Sequence, residues 1–140
     1  MAEDILLDTS AIVAFLAAED GAEDVEKFLR AAARSSLTVY ASFATVAELF
    51  AVTMKQEGRD RAEHYLSLVR AWPMSWVQSD DELCVAAGML KGRHRMSLAD
   101  AFIAATALRH GAVLVHKDPE FEPLKAELRQ HTLPYKRTHG

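Results

Sequence analysis

The stretch SLADAFIAATAL, Ser97 to Leu108, predicts a buried helix that carries an acid in its first turn. Its residues are apolar nearly all the way round, which is typical of a helix without a solvent-facing side. Asp100 then has two explanations. Ser97 followed three residues later by an acid fits a helix start, where an acid also complements the helix dipole. Alternatively, Asp100 faces a pocket and shares a metal ion with acids from elsewhere in the chain.

Strands and helices alternate on both sides of this helix. The predicted strands are residues 4–8, 37–40, 74–77 and 112–116, followed by TLPY as an edge strand because Pro134 cannot donate to a ladder. The predicted helices are residues 9–21, 21–34, 42–57, 59–71, 79–91, 97–111 and 119–128. Short apolar strands separated by helices indicate a parallel sheet covered on both faces. The sequence therefore predicts a three-layer α/β/α domain with a short, mainly parallel sheet of four or five strands.

Length and composition place limits on the fold and the compartment. The 140 residues predict one domain, residues 1–140, with a core from about 4 to 128 and a frayed tail, KRTHG. No apolar run is long enough to span a bilayer, and the acidic N-terminus lacks the order of a signal peptide. Cys84 is the single cysteine, which excludes an internal disulfide and fits a reducing cytoplasm. Its position on a helix beside Leu83 and Val85 predicts that it lies in the core. The net charge of −4 means that binding to nucleic acid needs a local basic patch or metal ions.

Three further acids stand in unusual places. Asp8 ends the first predicted strand and Asp118 follows the fourth, at the end of the sheet where ligands bind in such folds. Glu48 borders the apolar stripe predicted for its helix, which consists of Phe43, Val46, Ala47, Phe50, Ala51 and Met54. Each acid alone also has a local explanation: a helix cap for Asp8, a turn for Asp118, and solvent or a lysine for Glu48.

Taken together, the four acids favour a shared metal site. Carboxylates that gather in one place repel one another, so a cluster needs a cation at neutral pH. Oxygen-only ligands suit Mg²⁺ or Mn²⁺. Such a site orients and polarises a phosphodiester and activates water for its hydrolysis. Spacing in the sequence cannot show that the four acids meet.

The order of these motifs resembles that of the PIN-domain ribonucleases, most closely the VapC-type toxins of toxin–antitoxin pairs. The resemblance is carried by ILLDTSAIVAFL, TVAELFAV, SLADAFIAATAL and AVLVHKDPEFEPL, and it runs from Asp4 to Leu124. The family's acids fall on Asp8, Glu48, Asp100 and Asp118. The resemblance implies that these bind Mg²⁺ or Mn²⁺ and catalyse the cleavage of RNA by a metal-activated water. Ser10 matches the family's small polar residue beside Asp8, and Ser97 opens the Ser/Thr-x-x-Asp helix.

One position departs from the family pattern. Many relatives carry Thr or Ser two residues before the last acid, where this chain has His116. His116 could replace the hydroxyl as a hydrogen-bond donor or contact the substrate, but a histidine at a strand end is more often a structural group. The departure leaves open how a second metal position is formed.

The best candidate for contact with RNA phosphates is the basic loop before Asp100. It contains Lys91, Arg93, His94 and Arg95 in one short run, and phosphate contacts by Lys and Arg supply most RNA affinity. A solvated basic loop without a ligand explains the same residues equally well.

The family also implies partners. VapC-type toxins are usually homodimers that a small antitoxin holds inactive by filling a groove and pointing a basic residue at the acids. The two N-terminal helices offer apolar side chains for such a groove or, more often, for the core: Ile12, Phe15, Leu16, Val25 and Phe28.

Several other functions fit the sequence less well. Haloacid-dehalogenase phosphatases need a second Asp two residues after the first, where this chain has Ser10. Response-regulator receivers need an acid pair at the first strand, where Asp8 has no neighbouring acid. They also need an Asp at the end of a middle strand, where this chain has Val77 and Gln78. The alternative from another class is a PIN-fold binding protein with little or no nuclease activity, which acts through its antitoxin complex. In such a complex the antitoxin would contact DNA, because this chain is acidic and shows no DNA-reading motif.

Overall fold

The computed structural model describes residues 3–136, in which strands and helices alternate as the sequence predicts. The strands are β1 (Ile5–Leu7), β2 (Val39–Ser42), β3 (Ser75–Val77), β4 (Val113–His116) and β5 (Gln130–Thr132). The helices are α1 (Thr9–Leu16), α2 (Ala22–Ala33), α3 (Phe43–Glu57), α4 (Arg59–Arg70), α5 (Asp81–Arg93) and α6 (Leu98–Arg109). A 3₁₀ helix, Pro119–Leu124, follows β4.

All five strands run parallel, in the spatial order β3-β2-β1-β4-β5. The chain leaves β1 for β2 on one side and later returns to β4 on the other side, where Leu6 pairs with Leu114. The boundary between β1 and β4 is therefore the point at which the strand order reverses. In parallel sheets, ligands bind at such a point, outside the carboxyl ends of the strands.

Two hydrophobic clusters lie on opposite faces of the sheet. Leu6 and Leu114 point to one face, which α5, α6 and the 3₁₀ helix cover. Ile5, Leu7 and Val115 point to the other face, where they pack against residues from α1 to α4. Side chains alternate along each strand, so neighbouring residues serve the two cores. The predicted three-layer α/β/α fold with a parallel sheet is confirmed.

Helix α6 is buried, as its composition predicts. Seven of its residues are buried, and Ile103 is completely inaccessible to solvent. Full burial of one such side chain contributes about 1.5–3 kcal/mol relative to leaving it exposed. The helix begins at a cap, because the Ser97 hydroxyl accepts a hydrogen bond of 3.1 Å from the Asp100 amide. The capping explanation of this sequence is therefore confirmed.

Several predicted boundaries are wrong, and tertiary contacts explain the differences. β2 lies two residues later than the predicted 37–40, because its register is set by pairing with β1 on one side and β3 on the other. The last strand is Gln130–Thr132 rather than TLPY, so it ends before Pro134 and pairs with β4. The predicted helix 119–128 is a 3₁₀ helix that ends at Leu124, within which Pro123 removes a backbone donor. Helix α1 ends at Leu16, and in the turn that follows it Glu19 lies 3.6 Å from the Lys117 ammonium.

Two burial predictions are also wrong. Helix α3 buries Thr45, Leu49 and Thr53 instead of the predicted stripe, because apolar residues surround this helix and do not define one face. Thr45 is accommodated by a polar contact, since its hydroxyl lies 3.1 Å from that of Thr9. Cys84, expected in the core, is exposed on α5.

Of the predicted frayed tail KRTHG, only Lys136 falls within residues 3–136, and residues 137–140 lie outside the described part of the chain. Among residues 3–136, no helix has the length and apolar character needed to cross a bilayer.

Candidate metal centre

The four acids singled out in the sequence line one pocket of about 460 Å³. Asp8 follows β1 and Asp118 follows β4, so both stand at the carboxyl ends of neighbouring central strands. Glu48 reaches the pocket from α3, and Asp100 from the first turn of α6. The fold therefore brings together acids that are separated by up to 110 residues in the sequence.

Asp8 is held by the start of α1 and by Ser10. Its carboxylate accepts the Ala11 amide at 2.9 Å and the Ser10 hydroxyl at 2.7 and 2.9 Å. The Ser10 hydroxyl in turn accepts the backbone amide of Lys117 at 2.8 Å, which ties the end of β1 to the loop after β4. Burial raises the pKa of Asp8 to about 7, although the hydrogen bonds from Ser10 and Ala11 oppose the shift.

Glu48 is oriented by a hydroxyl that belongs to α1. The Thr9 hydroxyl donates a hydrogen bond of 2.6 Å to Oε1 of Glu48. Burial raises the pKa of Glu48, and the negative charges of Asp118 and Glu120 add to the shift. The bond from Thr9 lowers the pKa but does not cancel the effect of burial. Glu48 is thus half-buried and directed towards the other acids, as its position beside apolar residues suggested.

Asp100 and Asp118 form a tight triangle with a third acid, Glu120. One carboxylate oxygen of each residue lies within 4.8 Å of the other two. Burial raises the pKa of Asp100 to about 9, with further contributions from a hydrogen bond to Glu120 and from the charge of Asp118. The pKa of Glu120 is lowered, chiefly because Asp100 donates that hydrogen bond. Without a cation, Asp100 therefore keeps its proton at neutral pH.

The sequence analysis did not single out Glu120. The Asp118 carboxylate caps the 3₁₀ helix by accepting the Glu120 amide at 2.9 Å, and the Glu120 carboxylate accepts the Ser97 amide at 2.9 Å. Glu120 therefore connects the turn after β4 to the start of α6. The available signal was a second acid two residues after Asp118, in DPEF, but a helix start explained that acid equally well.

Positive charges near the pocket have partners within the chain. Lys117 lines the pocket, yet its ammonium donates to the carbonyl of Asp20 at 2.8 Å and lies 3.6 Å from Glu19. The Lys136 ammonium lies 3.0 Å from the same Glu19. Within residues 3–136, both lysines are thus paired with Glu19, outside the carboxylate triangle.

The predicted basic loop lies beside the pocket rather than on its wall, and two of its members, Lys91 and Arg93, belong to the last turn of α5. The Lys91 ammonium donates to the carbonyl of Met96 at 2.9 Å, and its charge contributes to the lowered pKa of Glu120. Arg93 lines a separate groove between α5 and α6, and Arg95 is exposed. His94 contacts Glu127, with its Nε2 at 3.0 Å from the carboxylate. Of the predicted phosphate-binding residues, Lys91 is thus the one whose charge lowers the pKa of an acid in the triangle, Glu120.

His116 lies beneath the pocket and not in it. Its side chain is completely buried, and its Nδ1 accepts the Asp118 amide at 3.1 Å. The substrate contact considered in the sequence analysis is therefore excluded by the position of the ring. His116 acts on the acids through the backbone of Asp118.

The donor set suits a hard divalent cation. The triangle of Asp100, Asp118 and Glu120 offers only carboxylate oxygens, and its members are close enough to share one ion. Mg²⁺ and Mn²⁺ prefer such ligands, whereas zinc sites usually contain Cys or His. A cation at this position would also offset the repulsion from neighbouring acids, which adds to the rise in the pKa of Asp100 that burial mainly causes.

The metal-free protein should become less stable as the pH rises from 7 to 9. The pKa of Asp100 is about 9 in the folded protein against an ordinary value of 3.8, so the folded state binds a proton that the unfolded state lacks. The stabilisation that this bound proton gives the folded protein is complete at low pH. It is lost progressively as the pH rises towards the pKa of Asp100 in the folded protein. His116, whose pKa is lowered from 6.5 by burial, does not oppose this trend above pH 7.

Thermal unfolding at pH 7, 8 and 9 with and without Mg²⁺ would measure this effect. We expect the melting temperature to fall across this range in the metal-free protein, and to fall less in Asp100→Asn or with Mg²⁺ bound. A melting temperature that rises between pH 7 and 9 in the metal-free protein would contradict the protonated state of Asp100.

This chain is similar to known proteins in both sequence and structure. The family model described as PIN domain matches residues 5–126. Ribonuclease VapC11 of Mycobacterium tuberculosis is 31% identical over 125 residues, which cover 84% of this chain and 89% of that protein. VapC ribonuclease Mb1587 of Mycobacterium bovis is similar to the same extent, with 31% identity over 125 residues and the same 84% and 89% coverage.

Solved structures of lower identity share the fold. VapBC2 from Rickettsia felis, bound to a DNA fragment from its promoter, matches with a TM-score of 0.72 and 17% identity over 93% of this chain and 98% of that chain. VapC20 from Mycobacterium tuberculosis, described as a sarcin-ricin loop cleaving toxin, matches with a TM-score of 0.70 and 19% identity over 94% and 100% of the two chains.

Proposed function

This chain belongs to the PIN-domain family, among its VapC-type ribonucleases, and from that membership we propose that it is a metal-dependent endoribonuclease toxin. The observation that carries the proposal is the carboxylate triangle of Asp100, Asp118 and Glu120. It opens into a pocket at the carboxyl ends of the central strands, where Asp8 and Glu48 supply two more carboxylates. Carboxylates gathered in this way serve the hydrolysis of a phosphodiester better than they serve the stability of the fold.

The triangle residues would hold Mg²⁺ or Mn²⁺, with Asp8 and Glu48 on the adjoining wall of the pocket. A bound cation of this kind would polarise the phosphodiester and activate water for hydrolysis at neutral pH. Ser10 and the amide of Ala11 hold the Asp8 carboxylate in place. Thr9 holds Oε1 of Glu48, and the Ser97 amide holds Oε1 of Glu120. The acids are thus oriented before the metal and the substrate arrive, as an efficient site requires.

We further propose RNA as the substrate, with its backbone bound by the basic loop. Lys91 is the strongest candidate, since its charge already acts on Glu120. Arg95 is exposed just after the end of α5 and is a candidate for contact with a further phosphate. Arg93 is the weakest of the three, because it lines the groove between α5 and α6. Each phosphate that these side chains neutralise would release counterions condensed on the RNA, so the affinity should fall as the salt concentration rises.

Cleavage of pooled total RNA tests the proposed function. Purified protein, freed of any partner, is incubated with RNA in chelator, in Mg²⁺ and in Mn²⁺, and the new 5′ and 3′ ends are mapped. The proposal expects defined cuts that need the divalent cation. No cleavage by folded protein that binds Mn²⁺ would favour the alternative, a PIN-fold binding protein with little or no nuclease activity.

An antitoxin is the proposed protein partner. Val13 and Val52 border the acidic pocket, so its wall combines apolar and negatively charged surface. A partner that places apolar side chains and one Lys or Arg here would match both features. Ile12 and Val25, considered for this groove, belong to the core and are completely buried. Co-expression with a neighbouring reading frame of antitoxin size should yield a complex in which RNA cleavage is suppressed.

A homodimer is proposed through the surface formed by α5 and α6. Val85, Met89 and Leu108 are 64%, 56% and 41% exposed in the described chain. Met89 and Leu108 line a groove of about 380 Å³ whose rim carries both acids and arginines. Large apolar side chains clustered in this way are typical of interaction sites.

Replacing Met89 with Asp should therefore shift the dimer towards monomers. A buried charge at the centre of the interface would raise the dissociation constant by roughly tenfold or more. Sedimentation or light scattering coupled to gel filtration measures the effect. Leu68→Asp is the matched control, since Leu68 is 42% exposed on α4, outside this surface. A wild-type monomer at micromolar concentration, or a dimer that survives Met89→Asp, would exclude this interface.

A further inference from the structure

We propose that His116 is a positioning residue that holds Asp118 in the geometry needed for metal binding, and that Gln130 of β5 anchors the ring from the opposite side. This inference rests on the proposed function only in taking the carboxylate triangle as the metal site. The side chain acts from inside the core and not from the pocket wall.

The hydrogen bonds of the buried ring define one protonation state. Nδ1 lies 3.1 Å from the amide of Asp118, which can only donate, so Nδ1 must be unprotonated. Nε2 lies 2.8 Å from Oε1 of Gln130 and 3.3 Å from the hydroxyl of Thr132. Nε2 therefore carries the proton and donates it to Gln130. A protonated, cationic ring could not accept the Asp118 amide.

Gln130 completes a link between the edge strand and the turn that carries the acids. Its Nε2 donates to the carbonyl of Phe121 at 2.8 Å, which fixes the orientation of the side-chain amide and leaves Oε1 free to accept from His116. The ring centroids of His116 and Phe121 are 5.1 Å apart. β5 thus holds the turn from residue 118 to 121 at two points: the Asp118 amide, through His116, and the Phe121 carbonyl.

The consequence for the metal site follows from where this turn lies. Asp118 and Glu120 both belong to it, and the Asp118 carboxylate also accepts the Glu120 amide. If Nδ1 is lost, the Asp118 amide loses its hydrogen-bond partner and the turn can shift. Two of the three carboxylates in the triangle would then move relative to Asp100. Loss of such an outer-shell partner typically costs about 10–100-fold in metal affinity or activity.

Two amide substitutions test the roles of the two ring nitrogens separately. In His116→Asn, the side-chain oxygen takes the place of Nδ1 and can accept the Asp118 amide, whereas the contact with Gln130 is lost. In His116→Gln, the longer side chain can reach Gln130, but it has no acceptor at the position of Nδ1. Both variants place an uncharged amide at the same buried position, so each serves as the control for the other.

The readouts are Mn²⁺ affinity by calorimetry, hydrogen exchange of the Asp118 amide by NMR, and thermal unfolding. We expect His116→Gln to lose about 10–100-fold in Mn²⁺ affinity and His116→Asn to retain most of it. The Asp118 amide should be protected from exchange in wild type and His116→Asn, and should exchange faster in His116→Gln. The ¹⁵N shifts of His116 in wild type should show Nδ1 unprotonated and Nε2 protonated.

Several results would overturn the inference. One is a proton on Nδ1 in the wild type. Another is a loss of Mn²⁺ affinity that is equal in both variants and follows their melting temperatures, since a purely structural role predicts that pattern. If His116→Gln does not fold, Gln130→Met takes its place: it removes the anchor but leaves Nδ1 intact, and it should weaken Mn²⁺ binding without abolishing it. Unchanged Mn²⁺ affinity in Gln130→Met would then reject the anchor.

The same experiment distinguishes this inference from the proposed function. A wild-type protein that binds Mn²⁺ with the expected split between variants but cuts no RNA would retain the role of His116 and reject the nuclease. A wild-type protein that cuts RNA without the split would retain the nuclease and reject the role of His116.

Discussion

Asp100→Asn is expected to abolish RNA cleavage while leaving the fold intact. The substitution removes one carboxylate from the triangle, so its effect should exceed the roughly 10–100-fold cost of losing an outer-shell partner. The fold should tolerate the change because Asp100 is protonated in the metal-free protein, its pKa being raised to about 9 chiefly by burial. A neutral amide resembles that protonated acid. The cap of α6 is also unaffected, since the Ser97 hydroxyl accepts the backbone amide of residue 100.

The measurement is the rate of RNA cleavage in Mn²⁺, beside Mn²⁺ affinity and the melting temperature of the metal-free protein. Asp81→Asn provides a matched control, because Asp81 is also an acid in the first turn of a helix but is exposed on α5. Cleavage should vanish in Asp100→Asn and persist in Asp81→Asn. Metal-dependent cleavage that survives in Asp100→Asn would place the active centre elsewhere and leave Asp100 with a structural role.

Asp8→Asn and Asp8→Ala should both lose RNA cleavage but differ in stability. Either substitution removes the carboxylate at the carboxyl end of β1, which is one of the acids that line the pocket. Asn can still cap α1 by accepting the Ala11 amide, as Asp8 does at 2.9 Å. Ala cannot accept this hydrogen bond, so the Ala variant should be less stable than the Asn variant by about 1 kcal/mol.

Urea unfolding of the two variants, at pH 7 and without metal, measures the capping contribution separately from activity. The Asn variant should match or exceed the wild type, because burial raises the pKa of Asp8 to about 7 and the ionised form is disfavoured. Equal stability of the Asn and Ala variants would show that the cap contributes nothing. A cleavage rate near that of the wild type in either variant would remove Asp8 from the catalytic groups.

The fold could be predicted because its signals are local. Each of the first four strands lies in a short apolar run, and each helix has a cap or a periodic apolar face that neighbouring residues define. β5, whose sequence is Gln130–Thr132, has no such pattern, and its position was missed. The cap at Ser97 and the burial of α6 were both readable from one stretch of sequence. The phase of α3 was not readable, because apolar residues surround that helix and only its packing partners select Thr45 and Leu49 as the buried face.

The site could be predicted only for acids that stand in unusual places in the sequence. Asp8, Glu48, Asp100 and Asp118 each stood at an element end or beside apolar residues, and all four line one pocket. Their assignment as metal ligands stays a prediction that the cleavage experiments will test. Glu120 was not predicted as a site residue, because an acid in the first turn of a helix has an ordinary explanation. Only the fold brings it close to Asp100.

The sequence by itself determined the three-layer α/β/α fold, the helix caps and the acids at strand ends, because propensity, periodicity and capping act over a few neighbouring residues. The tertiary structure alone decided which acids share a proton, which turn presents them, and what holds that turn. Asp100 and Glu120 are 20 residues apart, and His116 reaches Gln130 across 14 residues. Contacts over such separations depend on the order of strands in the sheet, and no local pattern encodes the distance between two side chains that the folded chain brings together.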